Sequence, residues 1–308
     1  MVRFTFSRGT MLRFAFHPAL LIMALFVFLS WPGGVVCGPK DSGPFSDAEI
    51  TLLIKTLQGK KQDARTLRAM LKKPGVIKLP DTVAMNITNP IQLNSKRYAG
   101  FYNPWSLSLA RGFMRRWKST LTRAEGRYGV DREVIVAILL VETGFGRTTG
   151  TWPVFSVYAS VFVDADRYLR EENFERDGRL HKRFKKKRAW ALDQLRALME
   201  MAGTHGIDPT RLKGSYAGAF GMAQFLPRSY LNWAVSTRKN QRPDLHYEPD
   251  AIYSVANYLK QNGWGKSRLD ESSRKAVWHY NNSQVYVNTV MEVAIRLQKR
   301  RTADHPAP

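Results

Sequence analysis

The sequence has 308 residues and a formal charge of +23 at neutral pH, because 48 lysines and arginines outnumber 25 acidic residues. An excess of this size attracts polyanions such as nucleic acid, anionic lipid or an anionic cell-wall polymer. Cys37 is the only cysteine, which excludes a disulfide within the chain and a zinc site built from several cysteines.

The first 38 residues have the features of an export signal. A basic region of arginines precedes the first acidic residue, and the apolar run at 19–29 ends before Pro32. This run is shorter than the roughly 20 residues that a transmembrane helix needs. We predict a signal peptide at 1–38 and an exported, periplasmic protein. A lipid anchor on Cys37 and an uncleaved N-terminal anchor are the alternatives. Export argues against nucleic acid as the partner, and cleavage would also remove the only thiol.

Residues 39–100 are predicted to form a helical N-terminal appendage followed by a linker. Apolar residues between Ser46 and Leu57 recur at helical spacing, and the segment 65–72 is typical of a second short helix. Several prolines then interrupt the chain before residue 100, which indicates an irregular connection. The segment offers no recognisable chemistry.

The segment from Pro104 to Gly126 predicts one amphipathic helix. Its apolar residues recur every three or four positions, which is the spacing of a buried helical stripe. They are Leu107, Leu109, Phe113, Trp117 and Leu121.

Eight consecutive apolar residues, from Val134 to Val141, predict a helix that is buried on every side. Asp131 can cap its start through the side chain. Glu142 follows the run directly, where the negative end of the helix dipole and the apolar surroundings should both raise its pKa. A carboxyl group that keeps its proton near neutral pH suits a general acid. The alternative is a glutamate that emerges into solvent as the helix ends. Gly144 and Gly146 then let the chain leave the helix.

A charged stretch at 164–188 follows an apolar and aromatic segment, and helical spacing returns from Ala189 to Gly203. A run of charges of this kind usually forms a solvated surface, so we expect its acidic residues to serve solubility. They include Asp164, Asp166, Glu171 and Glu172.

A glycine-rich segment runs from Lys213 to Pro227, with three glycines within eight residues. This density predicts close backbone approach, either to a ligand or to another segment. A phosphate-binding loop is excluded because no Gly-Lys-Ser/Thr ends the segment. Two more helices are predicted, one from Pro249 to Asn262 and one from Ser272 that carries Trp278 to Asn282. The chain shows no strand-rich region and no repeat, which predicts a mainly α class.

Two familiar kinds of active site are absent from the sequence. It contains neither a Gly-x-Ser-x-Gly nucleophile motif nor a His-x-x-x-His zinc pair. What remains is Glu142, the glycine-rich segment, and clusters of aromatic and amide side chains. Aromatic faces combined with Asn and Gln amides suit a sugar polymer as the ligand.

Three segments in this order resemble the lytic murein transglycosylase B family: Val141–Gly146, Gly214–Pro227 and Asp250–Leu259. The resemblance extends from about Phe101 to Leu297. It implies a lysozyme-like, mainly helical catalytic domain at 101–300, followed by a disordered tail at 301–308. It also implies cleavage of the β-1,4 bond between N-acetylmuramic acid and N-acetylglucosamine in peptidoglycan glycan strands, with a 1,6-anhydromuramoyl product.

The resemblance implies a role for individual residues. Glu142 matches the single acid/base, and one carboxylate can suffice because the attacking hydroxyl belongs to the substrate. The matched substrate-binding positions are Arg188, Ser215, Gln224, Tyr258, Tyr280, Asn281 and Tyr286. From the residues alone, Tyr258 and Tyr286 would rather be core aromatics. Lys187 stands where the family often has a second arginine.

The family often carries a calcium loop of EF-hand type, which the segment 235–245 would match. Ser236, Arg238 and Asn240 occupy the positions expected to hold acidic ligands, and the basic residues here would repel a divalent cation. We therefore predict no metal site and no cofactor. We expect a monomer that binds glycan strands, and its charge leaves peripheral membrane association open. The alternatives are a catalytically silent peptidoglycan-binding protein and an exported polyanion-binding protein.

Overall fold

The computed structural model describes residues 43–58, 63–88, 98–171, 178–268 and 270–303. The predicted signal peptide at 1–38 lies outside these ranges. Within them the fold is mainly α, as predicted, with one two-stranded antiparallel ribbon that pairs Trp152 with Gly214. Among the described helices, none combines the length and the apolar character that crossing a bilayer requires.

The elements in chain order are α1 Asp47–Leu57, α2 Ala64–Leu71, α3 Asp81–Val83 continued by a π-helical turn Ala84–Thr88, a 3-10 turn Ala99–Tyr102, α4 Pro104–Arg116, α5 Lys118–Tyr128, α6 Arg132–Thr143, β1 Trp152–Pro153, α7 Val154–Glu171, α8 Gly178–His205, β2 Lys213–Gly214, α9 Pro227–Trp233, α10 Glu248–Gln261, α11 Glu271–Tyr280 and α12 Gln284–Ala303.

Helix α6 is the centre of the fold. Helices α4, α5, α10 and α12 all pack against it, and every residue from Glu133 to Thr143 is buried. Its apolar residues therefore meet other helices on all sides, as the unbroken run predicts. Gly144 ends the helix with a positive φ of 57°, a conformation that costs glycine little.

The start of α6 differs from the prediction. Asp131 is the N-cap residue, but its side chain makes no capping hydrogen bond. Its carboxylate instead accepts a hydrogen bond of 2.6 Å from the Arg268 guanidinium. A charged donor stabilises the carboxylate more than a neutral backbone N–H does, so Asp131 ties the start of α6 to the loop before α11.

Two predicted helices are each divided in the structure. The segment from Pro104 to Gly126 bends at Trp117, whose φ and ψ are −105° and 22°, and the bend lets both α4 and α5 contact α6. The last predicted helix stops at Tyr280, because Asn281 is extended, and a separate helix begins at Gln284. Helix α12 continues to Ala303, three residues into the predicted disordered tail, while 304–308 lie outside the described residues.

The N-terminal segment is helical as predicted, but it packs into the main core. Helices α1 and α3 contact α7, and the side chains of Leu53, Leu67 and Val83 are fully buried in the principal core cluster. The backbone N–H of Leu79 donates to the Ser160 hydroxyl of α7 at 2.8 Å. The segment thus completes the hydrophobic core of the domain.

An ion-pair network holds this segment to α7. The Lys78 ammonium lies 2.9 Å from Asp164, and it also contacts Glu49. Arg167 pairs with the same Asp164 oxygen at 3.0 Å. The expectation that Asp164 serves solubility is wrong, because its side chain is 1% exposed. A buried carboxylate needs such partners to offset the loss of its hydration.

Candidate active site

Glu142 lies at the end of α6 and is 1% exposed. Burial is the largest influence on this group, and it raises the pKa of Glu142 to about 8. Among the residues that the structure describes, no second carboxylate and no cation contributes to that shift. The carboxyl group is therefore protonated at neutral pH, which agrees with the elevated pKa expected from the sequence. A buried, protonated carboxyl group can act as a general acid.

Tyr286 on α12 makes the one side-chain hydrogen bond that shifts the pKa of Glu142. Its hydroxyl donates to Oε1 of Glu142 at 2.7 Å, and this bond lowers the pKa of Glu142 against the effect of burial. Tyr286 is itself fully buried, and burial raises its own pKa well above the usual value. Tyr286 therefore remains a hydrogen-bond donor throughout the physiological pH range.

We expect Tyr286→Phe to move the basic limb of the pH–rate profile to higher pH. Loss of the donor leaves the pKa of Glu142 higher, so the acid stays protonated further into the alkaline range. The maximal rate should fall about tenfold, because hydrogen bonds to charged groups contribute roughly 1.5–3 kcal/mol. Initial rates measured from pH 5 to 10 would check this. Tyr280→Phe is the control for limb position, because the Tyr280 hydroxyl donates to the Ala223 carbonyl instead. If the basic limb of Tyr286→Phe stayed at the same pH, Glu142 would not be the group whose titration sets that limb.

Thr143 connects the end of α6 to the glycine-rich segment. Its hydroxyl donates to the Met222 carbonyl at 2.9 Å and accepts from the Gly146 N–H at the same distance. These two bonds fix the loop that follows Glu142. The sequence prediction did not single out Thr143, although its position beside Glu142 is the signal that could have found it.

The predicted close backbone approach is found in the glycine-rich segment, and the neighbour is protein in each case. A side chain at Gly218 would overlap the Tyr158 ring, and one at Gly221 would overlap Leu245. Both glycines also have positive φ values, of 80° and 71°. Glycine is therefore required at these positions on two grounds.

Ser215 and Gln224 are both buried at the ends of this turn. The Ser215 hydroxyl accepts from the Ala219 N–H at 3.1 Å. The Gln224 amide nitrogen donates to the carbonyls of Thr149 and Gly221, whereas its Oε1 is buried without a partner. Gln224 also has a positive φ of 49°. Strain and an unpaired acceptor at one residue are typical of a functional position.

The aromatic residues predicted to bind sugar pack against one another in the hydrophobic core. Tyr258 donates to the His279 carbonyl at 2.7 Å and packs edge-on against Tyr280, with 4.7 Å between ring centroids. Tyr280 and Tyr286 lie nearly parallel at 6.5 Å. All three rings are buried, as is Asn281 between α11 and α12. The residue-based interpretation of Tyr258 and Tyr286 as core aromatics is therefore correct, while their role in substrate binding stays a prediction.

Arg188 packs on α7. Its Nε donates to the Phe162 carbonyl at 3.2 Å, and the guanidinium lies 4.4 Å above the Phe162 ring. The neighbouring Lys187 is buried, with its ammonium 4.2 Å from the centre of the Trp190 ring. Burial, followed by the nearby charge of Arg183, lowers the pKa of Lys187 to about 8. A role for Arg188 in binding substrate stays a prediction.

Protein donors surround the carboxylate of Asp250, which lies in the first turn of α10. Its oxygens accept from the Thr237 N–H at 2.8 Å, from the Thr237 hydroxyl at 2.6 Å and from the Asp244 N–H at 2.9 Å. The Arg238 guanidinium lies 3.4 Å away. In the described ranges, no cluster of three His, Cys, Asp or Glu residues could hold a metal ion.

We expect neither calcium nor EDTA to change the thermal midpoint of unfolding. Arg238 and the backbone donors already neutralise and solvate Asp250, so a cation would have to displace them. Differential scanning fluorimetry with added calcium, and then with excess EDTA, would check this. A rise in midpoint with calcium that EDTA reverses would contradict the prediction.

Residues 46–272 match the family model described as the Transglycosylase SLT domain. A segment of 166 residues is 34% identical to the membrane-bound lytic murein transglycosylase B of Escherichia coli strain K12. That segment spans 54% of this chain and 41% of the relative. The resemblance to this family is thereby confirmed.

Solved structures with the same fold include the lytic transglycosylase Slt35 of Escherichia coli in complex with calcium. It has a TM-score of 0.70 at 21% identity, covering 93% of this chain and 99% of that one. The soluble lytic transglycosylase SltB1 from Pseudomonas aeruginosa has a TM-score of 0.67 at 22% identity, with 82% and 99% covered. SltB3 from Pseudomonas aeruginosa in complex with NAG-anhNAM-pentapeptide has a TM-score of 0.64 at 20% identity, with 82% and 78% covered. The predicted lysozyme-like fold is confirmed.

Proposed function

Because the chain belongs to the transglycosylase SLT domain family, we propose that it is a peptidoglycan lytic transglycosylase. Its substrate would be the β-1,4 bond between N-acetylmuramic acid and N-acetylglucosamine, and its product a 1,6-anhydromuramoyl end. The observation that carries this proposal is the carboxyl group of Glu142, which is buried at the end of α6. Burial raises its pKa to about 8, and no second carboxylate among the described residues contributes to that shift.

A single carboxyl group can perform both proton transfers. Glu142 donates its proton to the glycosidic oxygen as the bond from that oxygen to the anomeric carbon of the muramic acid breaks. The 6-hydroxyl of the same sugar then bonds to the anomeric carbon and returns its proton to Glu142. No water is consumed, which distinguishes the reaction from hydrolysis by two carboxylates. The hydrogen bond from Tyr286 stabilises the Glu142 carboxylate between the two transfers.

Substrate binding is proposed for seven residues: Arg188, Ser215, Gln224, Tyr258, Tyr280, Asn281 and Tyr286. The fold shared with SltB3, which was solved with NAG-anhNAM-pentapeptide, supports a glycan strand as the ligand. We also propose a monomer, exported to the periplasm through residues 1–38, with membrane association limited to peripheral contact. N-terminal sequencing of protein from the native host would test export, and an intact Met1 on a cytoplasmic protein would contradict it.

Mass spectrometry of the products released from purified peptidoglycan tests the proposed reaction. The expected product is lighter by one water than the muropeptide that hydrolysis would give. A hydrolytic product would contradict the transglycosylase mechanism. Binding without any release would favour the catalytically silent binding protein instead.

A further inference from the structure

A groove of about 500 Å³ lies along the outer face of α4, outside the proposed active site. This volume is within the range of small-molecule sites. One side consists of α4 residues three or four positions apart, which share a helix face: Trp105, Ser108, Leu109, Gly112, Phe113 and Arg116. Trp117 follows at the end of α4, and the loop after α6 and the start of α10 complete the lining with Phe145, Arg147 and Glu248. None of these residues is a predicted ligand of the active site.

Trp105 gives the groove an exposed aromatic surface. Its side chain is 58% exposed, which is the highest value among the large apolar residues of the described chain. The Arg147 guanidinium lies 5.4 Å from the centre of its ring. An exposed indole can stack against the apolar face of a sugar ring and retain a polar edge for water. Because the fold leaves this side chain exposed, its position suits contact with a ligand better than stabilisation of the core.

Gly112 forms the floor of the groove in the middle of α4. Outside its own helix backbone, a side chain there would meet nothing nearer than the Arg115 guanidinium, 4.0 Å away. Glycine inside a helix costs about 1 kcal/mol relative to alanine, and packing within the protein does not require it here. The missing side chain instead leaves space open to a ligand.

The charge of the groove is net positive. Arg116 and Arg147 are exposed on it, and Glu248 is the one acidic residue among the described residues of the lining. Neither arginine forms an ion pair with a carboxylate in the described part of the chain. Guanidinium groups bind carboxylates with two parallel hydrogen bonds. The groove therefore suits a sugar polymer that also carries carboxylates.

The groove is built onto the loop that follows Glu142. Phe145 has a positive φ of 63°, which is unfavourable for an aromatic residue. Its ring stacks on Phe113 of α4 at 4.2 Å between centroids. The stacking holds Phe145 in this conformation and joins the groove wall to the end of the catalytic helix.

We propose that this groove binds a peptide-bearing peptidoglycan strand next to the one being cut, and thereby holds the enzyme on the cross-linked wall. The inference rests on the proposed function, because it takes the same polymer as its ligand. The stem peptides supply the carboxylates for Arg116 and Arg147, and the sugar rings stack on Trp105. The active site remains free to bind its own strand.

Gly112→Leu tests the proposal by filling the groove, and Gly112→Ala is the matched control that leaves it open. Leucine is a good helix former, so thermal midpoints should not fall. In a Glu142→Gln background, which prevents turnover, the affinity of Gly112→Leu for intact sacculi should fall about five- to tenfold, as for the loss of a central contact. Trp105→Ala should act in the same direction, and Leu52→Ala, at an exposed apolar residue of α1, should have no effect.

Cleavage assays separate the two possible positions of the bound strand. With Glu142 intact, Gly112→Leu should cleave sacculi several-fold more slowly but isolated soluble glycan strands at the rate of the unmodified protein. Equal losses on both substrates would show that the groove extends the active site along one strand, and would overturn the proposal. Unchanged binding to sacculi, or an equal loss with Gly112→Ala, would also overturn it. If the proposed function itself were wrong, the unmodified protein would release no anhydro product, which is a different outcome from any of these.

Discussion

Glu142→Gln should reduce the release of anhydro products by at least about 10²–10⁴-fold, the range that general acid–base catalysis contributes. The amide keeps the shape of the side chain and can still accept the hydrogen bond from Tyr286, whose hydroxyl lies 2.7 Å from Oε1. It cannot donate and recover a proton. Since one carboxyl group is proposed to serve both transfers, no other described group near it is expected to compensate.

The same substitution should not destabilise the fold, and its effect should depend on pH. Because burial raises the pKa of Glu142 from 4.5 to about 8, the folded state holds a proton that the unfolded state releases between these values. Stability from this group is thus present below about pH 4.5 and is lost as the pH rises towards 8. The thermal midpoint of Glu142→Gln relative to the unmodified protein should therefore increase from pH 5 to pH 8.

Glu133→Gln is the matched control for this experiment. Glu133 is a second buried glutamate of α6, 4% exposed and in the first turn of the helix. Its replacement should leave the rate of product release within a fewfold of the original. If Glu142→Gln folds normally and keeps activity within tenfold, Glu142 is not the catalyst.

Lys78→Met should lower the free energy of unfolding by about 1.5–3 kcal/mol, the contribution of hydrogen bonds to charged groups, because Arg167 still pairs with Asp164 after the substitution. Asp164 is 1% exposed and would lose the ammonium that lies 2.9 Å away. Glu49 would lose the same partner. Burial opposes the charged form of Lys78, but hydrogen bonds to Glu49 and Asp164 outweigh it and raise its pKa. The ammonium is therefore charged under all assay conditions, and urea unfolding monitored by circular dichroism would measure the loss.

Two variants make this result specific. Lys72→Met removes an exposed ion pair with Asp47, at 3.8 Å, and should cost less than about 1 kcal/mol. Lys78→Met combined with Asp164→Asn should recover part of the stability, because no buried charge then lacks its partner at that position. If Lys78→Met lowered the free energy of unfolding no more than Lys72→Met does, the ion-pair network would not be what holds the N-terminal segment to α7.

The sequence by itself determined the mainly α class, the buried helix that ends at Glu142 and the close approach at the glycine-rich turn. Each of these predictions depends on a pattern within a short stretch of the chain. The unbroken apolar run behind a helix start predicts a buried helix, and three glycines within eight residues predict close backbone approach. The side chains that a Cβ would overlap at Gly218 and Gly221 are those of Tyr158 and Leu245, which come from distant segments. The raised pKa of Glu142 follows from the same local pattern. A carboxyl group that directly follows a buried apolar run is itself buried, and burial disfavours its charged form.

Only the tertiary structure decided which distant residues meet. Asp131 lies at a helix start, yet its carboxylate binds Arg268. Asp164 lies in a charged run of the sequence, yet its side chain is buried and pairs with Lys78. The bend at Trp117 and the groove at Gly112 likewise follow from how α4 packs on α6. The spacing of apolar residues predicts which face of a helix is buried, but it does not predict which charged residue of a distant segment will pair with a given side chain. Those pairings form because burial makes an unpartnered charge costly, and that cost arises only when the whole chain has folded.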